Sequence, residues 1–189
     1  MGIDEFIMAI ELIAHAYLSS DSSNIDFTNI PDTYKDLILV MSLRDVYTGS
    51  YTPEFVNLKI NNNTNNQHSY WWTGTAGSSA AGSGGYSYNG LYAGRLCRKG
   101  AWDSNFSVGY VLIPGANDGD GTGGSDNYTP TIIGYSGCMK ASTLYGFTNN
   151  FAWSRKAETD RVSRITISSN SGSNLEAKST ATLYGVTGS

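Results

Sequence analysis

Charge is scarce in this chain. Charged residues make up 15% of its 189 positions, well below the roughly 25% usual in soluble domains. The 12 Lys and Arg residues form no cluster, 16 Asp and Glu oppose them, and the formal net charge is −4. Without a basic patch there is no electrostatic footprint for a phosphate backbone, so nucleic acid is not expected as a partner. Cysteine is nearly absent, with Cys97 and Cys138 the two present. They make no CxxC and no Cys/His spacing that suits zinc. Two buried free thiols are the plain reading, and a single disulfide is the alternative.

Long apolar runs are missing too. The most apolar stretch near the start, MGIDEFIMAIELIAHAYL, begins acidic and is interrupted by Glu11 and His15. It is too short to span a bilayer and lacks the basic opening of a signal peptide, so no membrane association is expected. Residues 1–9 read as an N-terminal arm or extension, with Met8 as an alternative start. Residues 10–189 read as one domain, because 40% hydrophobic content over this length supports a single core.

What the chain has in quantity is Gly (22) and Tyr (13), with only four Pro. Together with abundant Ser, Thr and Asn this is the composition of an all-β protein with long polar connections. Ile10, Leu12, Ala14, Ala16 and Leu18 fall at every second position, with Glu11, His15 and Tyr17 between them. That is strand period, with His15 on the polar face. In IDFTNIPDTYKDLILVMSLR (25–44), an alternating strand runs into a turn set by Pro31. A dense apolar run over 36–46 follows, whose Leu residues, Ile38, Val40 and Met41 are expected in the core. Further strands are expected at 55–60, 68–74, 86–97, 106–114, 131–138, 142–153, 161–168 and 179–186. The Gly/Ser/Ala-rich segment 73–85 and the Gly/Asp-rich segment 115–127 read as exposed loops. About ten short, evenly spaced strands with Gly/Ser/Asn-rich loops predict a single-domain β-sandwich, jelly-roll-like.

Catalytic chemistry finds little support. The two histidines, His15 and His68, have no nucleophile elbow to serve, since neither GYSYNG nor GYSGC fits G-x-S-x-G. Gly119, Gly121 and Gly124 match G-x-G-x-x-G, but no helix follows to present its N-terminus to a phosphate. Asp118, Asp120 and Asp126 lack the closing acid of a calcium loop, where Thr129 stands instead. Nothing pairs two carboxylates across a cleft as glycoside hydrolysis requires. No enzyme activity, cofactor or metal is expected. Binding is better supported. Trp71, Trp72, Tyr86, Tyr88 and Tyr92 flank the small-residue segment, and exposed aromatics can stack on sugar rings or fill a protein interface. Trp71 and Trp72 are adjacent, so in a regular strand they cannot both face the core.

LIAHAYLSSDSSNIDFTNIPDTYKDLILVMSLR (12–44) and the closing STATLYGV (179–186) together resemble a family of tailed-bacteriophage virion proteins. That family opens on an LIA…YLSS strand followed by IDFTxIPxTYxDLxL, and it ends on STATLYG. A looser echo lies in Trp153 and RVSRITISS (161–169). The resemblance covers both ends of the chain, while 60–150 matches mainly in composition. It implies a β-sandwich virion component made in the host cytoplasm, with no catalytic residue to carry over. The expected role is capsid decoration (cement), as a homotrimer bound to the major capsid protein or other virion proteins. A tail-fibre or head-fibre tip that binds host glycans is the alternative. The N-terminal extension and the cysteine pair depart from the family pattern.

Overall fold

The computed structural model describes residues 9–49, 53–62, 68–76, 79–87, 90–100, 105–116, 131–140, 143–153 and 161–187. Among the described residues every regular element is a strand. In chain order these are β1 (Ala9–Tyr17), β2 (Asn24–Thr28), β3 (Asp36–Asp45), β4 (Glu54–Ile60), β5 (His68–Ala76) and β6 (Ser79–Ser87). They continue with β7 (Leu91–Arg98), β8 (Ser107–Ile113), β9 (Thr131–Lys140), β10 (Thr143–Trp153), β11 (Arg164–Ser169) and β12 (Thr180–Thr187). The all-β fold predicted by strand period and turn spacing is the one that forms, its strands joined in one nearly barrel-shaped mixed sheet.

The strands make two layers. The broad one runs β1-β12-β3-β8-β9-β10-β5-β6, and the narrow one runs β2-β11-β4-β7. Every pairing described is antiparallel except one: Arg44 and Asp45, at the end of β3, run parallel to Cys97 and Arg98 of β7. That bridge joins the layers along one side and makes the sandwich nearly a barrel. The core fills the space between. Leu37, Leu39, Met41 and Leu43 alternate inward from β3 and meet Val56, Leu58, Ile60, Ile165, Ile167 and Leu96 from the narrow layer. Leu175 closes one end, its N–H donating to the Ser22 carbonyl at 2.7 Å and its carbonyl accepting from the Ser22 N–H at 2.9 Å.

The layers meet at a buried polar seam. Asp45 is fully buried and accepts from the Tyr47 N–H at 2.6 Å and from the Ser169 hydroxyl at 2.6 Å. Arg44 pairs with Glu176 at 3.0 Å, and Glu176 also takes Lys99 at 2.8 Å. Arg98 pairs with Glu54 and lies over the Tyr47 ring. Such charges are tolerable inside only because each has a partner.

Three sequence expectations need correction. Residues 73–85 are not a loop: they form most of the β5–β6 hairpin, in register from His68↔Ser87 to Ala76↔Ser79. Small residues stand opposite bulky ones there, Trp71↔Gly84 and Trp72↔Ser83. A low-complexity string has no side-chain pattern to mark it as a strand, but its backbone pairs as well as any other. β6 takes the strand number to twelve. Second, Ile10 and Leu12 do not share a face with Ala14 and Ala16. A β-bulge between Leu12 and Ala14 inserts Ile13, so the alternation changes face there. Third, Ile38 and Val40 lie outside the core, as described below. Of 115–127, only Gly115 and Ala116 are described, at a turn where Ala116 is buried. The expected arm lies outside the described residues except Ala9, which begins β1.

Candidate interaction face

The outer side of β1, β12, β3, β8 and β9 is largely apolar and uncharged. Residues directly opposite each other on antiparallel strands share a face, so the register gives cross-strand rows. The first row is Tyr17–Thr180–Ser42–Val108–Gly137. The next is His15–Thr182–Val40–Tyr110–Tyr135, and the third is Leu12–Tyr184–Ile38–Leu112–Ile133. Across five strands these rows hold no Asp, Glu, Lys or Arg. Asp36 stands at the rim of the next row, where its carboxylate accepts from the Gly115 N–H at 2.7 Å. His15 is held by the Thr182 hydroxyl, 2.8 Å from its Nδ1.

The exposure of this face is unusual for its chemistry. Ile10 (64% exposed), Leu12 (60%), Tyr17 (60%), Val108 (61%), Tyr135 (52%), Val40 (38%) and Tyr110 (37%) all lie on it. They are seven of the eight large apolar residues exposed among the described ones; Tyr47 is the other. Scattered surface hydrophobics are ordinary, whereas a contiguous patch marks a contact surface. β3 makes the same point. A run such as LILVMSL is the pattern of a strand buried on both sides, yet within one chain only its inward side is covered. The bulge in β1 adds to the patch by turning Ile10 and Leu12 outward.

The aromatic residues singled out in the sequence are placed as follows. Trp71 and Trp72 occupy successive positions of β5, and Tyr86 lies in β6 opposite Ser69. Register through β10 puts Trp71 in the row of Ile133 and Trp72 in the row of Gly134. Tyr88 lies outside the described residues. Tyr92 is on β7 in the other layer, opposite Asn57 of β4. It is half-buried and stacks on Phe55 with ring centroids 4.5 Å apart, while the Arg95 guanidinium covers the other side of Phe55 at 4.0 Å. The five therefore do not form one cluster. Trp71, Trp72 and Tyr86 all belong to the edge hairpin, where Trp71 and Trp72, as successive residues, take positions on opposite faces, and Tyr92 belongs to a separate stack.

Sequence reasoning missed the face itself. Its signals were present in the two-sided apolar run of β3 and in the alternating Val108, Tyr110 and Leu112, but which side of each strand stayed uncovered depends on the sheet order. Among the described residues no three His, Cys, Asp or Glu side chains gather as a metal site, and Asp118, Asp120 and Asp126 lie outside them. No protein-family model, no curated protein and no solved structure matches this chain.

Proposed function

We propose that the chain is a non-enzymatic structural component of a tailed-bacteriophage particle, and specifically a decoration (cement) protein on the outside of the head. The observation that supports it most is the uncharged apolar face of β1, β12, β3, β8 and β9. With strands about 4.8 Å apart, it is roughly 20 Å across, a fit to a protein surface rather than to a small molecule. We assign it to neighbouring copies of the same chain around a three-fold axis. Each copy carries a net charge of −4, and three rows free of Asp, Glu, Lys and Arg, with Asp36 only at their rim, let copies approach without burying like charge. The remaining loops and edges then meet the major capsid protein. The motifs in 12–44 and 179–186 support the virion reading through their resemblance.

Copy number tests the reading. Quantitative mass spectrometry or cryo-electron microscopy of the particle is expected to find hundreds of copies spread over the head. A few copies at the tail or a single vertex would replace decoration with the second reading, a fibre tip that binds host glycans. That reading would draw on the aromatic residues of the edge hairpin, Trp71, Trp72 and Tyr86. Turnover of a host polysaccharide by the purified protein would overturn the non-enzymatic assignment.

A further inference from the structure

Cys97 and Cys138 are 41 positions apart in the chain but meet in the fold. β7 runs parallel to β3, and β3 and β9 flank β8 antiparallel, so β7 and β9 run in the same sense. They also come unusually close. A Cβ placed on Gly94 would stand 2.8 Å from the Ser136 Cβ, which puts the two Cα atoms within about 6 Å of each other. The Arg95 N–H donates to the Ser136 Oγ at 2.7 Å and pins that register. Two residues further along both strands stand Cys97 and Cys138. Both are buried, 0% and 2% exposed, and their thiols hydrogen-bond each other. Facing sheets ordinarily lie about 10 Å apart, too far for a disulfide. At Gly94, where no side chain intervenes, the two strands approach to within about 6 Å between Cα atoms, and the contact between the thiols themselves sets Cys97 and Cys138 beside that approach; a disulfide spans about 4.4–6.8 Å between Cα atoms.

We propose that Cys97 and Cys138 are a reversible redox pair that closes into a disulfide clasping the narrow layer to the broad one. The proposal concerns the folded chain and does not depend on the role in a particle. The oxidant is a low-molecular-weight disulfide such as glutathione disulfide. The Cys138 thiolate attacks one of its sulfurs and releases a glutathione thiolate, forming a mixed disulfide. The Cys97 thiolate then attacks the Cys138 sulfur and releases the second glutathione. Two protein thiols lose two electrons and two protons, and two glutathione thiols are formed. The Cys97 thiol and the Arg95 guanidinium hold the Cys138 thiol below its ordinary range, against the opposing effect of burial. More of it is therefore thiolate at neutral pH than in a free cysteine. Because both thiols are buried, local opening of the strands sets the rate. The crosslink closes a loop of about 42 residues. By loop-closure entropy this raises the folded-to-unfolded ratio on the order of a hundredfold to a thousandfold.

The test equilibrates the full chain in a graded series of reduced and oxidised glutathione, quenches with acid, and alkylates in denaturant before intact-mass analysis. The expected result is one two-electron transition from two alkylatable thiols to none, with a Cys97–Cys138 crosslinked peptide and a melting temperature several degrees higher after oxidation. Cys97→Ala is expected to stop at a glutathione adduct on Cys138 and to show no such rise. Two free thiols in the most oxidising buffer, a lasting glutathione adduct on the unsubstituted chain, crosslinks only between chains, or a lower melting temperature on oxidation would each overturn the proposal. The titration of the unsubstituted chain decides the matter even if Cys97→Ala does not fold.

Discussion

The ring of Tyr34 lies flat on Gly185, where an added Cβ would stand 2.2 Å from two of its carbons. The Tyr34 hydroxyl continues to Glu11, donating to its Oε2 at 3.0 Å. Tyr34 belongs to the IPDTY turn and Gly185 to the closing STATLYGV strand, so the two most distinctive sequence motifs contact each other across 151 positions. The glycine is required by that close approach rather than by backbone freedom. Gly185→Ala should displace the ring and cost about 1–3 kcal/mol by overpacking. Urea denaturation reads the cost. Tyr34→Ala in the same chain should remove most of the added penalty, and purely additive effects would show that the contact carries no energy.

The outer face predicts an oligomer that charge can dissolve. Val108→Glu and Leu12→Glu change residues that are 61% and 60% exposed, so the fold should keep its stability within roughly 1 kcal/mol. Light scattering should find the unsubstituted chain as a trimer at micromolar concentration and both variants as monomers. A monomeric unsubstituted chain would reject self-association through this face in solution.

Asp45 predicts a large loss from a small change. Asp45→Ala would remove the acceptor of the Tyr47 N–H and the 2.6 Å partner of the buried Ser169 hydroxyl, leaving that hydroxyl only Ser171 to bond to. The expected cost is about 2–4 kcal/mol in chemical denaturation. A midpoint unchanged from the parent chain would mean that water replaces the carboxylate and that the seam is not dry.

Asp26 predicts a modest acid dependence. Arg164 on the neighbouring strand donates to it through Nε at 2.8 Å and Nη2 at 2.5 Å, and the Thr166 hydroxyl adds a bond of 2.7 Å. These contacts, Arg164 foremost, hold the carboxyl below its ordinary range despite some opposing burial. A folded-state value below the unfolded one means the stabilisation is fully present above about pH 4 and is lost as pH falls through the folded value. The advantage of the parent chain over Asp26→Asn should therefore hold steady from neutral pH down to about pH 4 and shrink as the pH falls further. An advantage that stays constant or grows on acidification would contradict the assignment.

The stretch 25–44 shows how far sequence reading reaches. The turn at Pro31 and the strand that follows were both evident in the sequence, since β3 spans Asp36–Asp45 and buries Leu37, Leu39, Met41 and Leu43. Strand position was legible at β8, β11 and β12, which fall within the expected 106–114 or overlap 161–168 and 179–186. Alternation misled at β1, where one inserted residue exchanges the faces, and at β6, where small residues carry no alternation at all. The aromatic cluster was only partly evident: Trp71, Trp72 and Tyr86 share a hairpin, while Tyr92 went to the other layer.

By itself, the amino-acid sequence determined that this is an all-β chain, roughly where its strands lie, and which residues prefer to leave water, because period and turn chemistry are local properties. Only the tertiary structure decided which apolar side of β3 would be covered. It also decided that Tyr34 would need Gly185, and that Cys97 and Cys138 would meet. Each of these depends on which strands become neighbours, and that is settled by pairings between segments far apart in the chain.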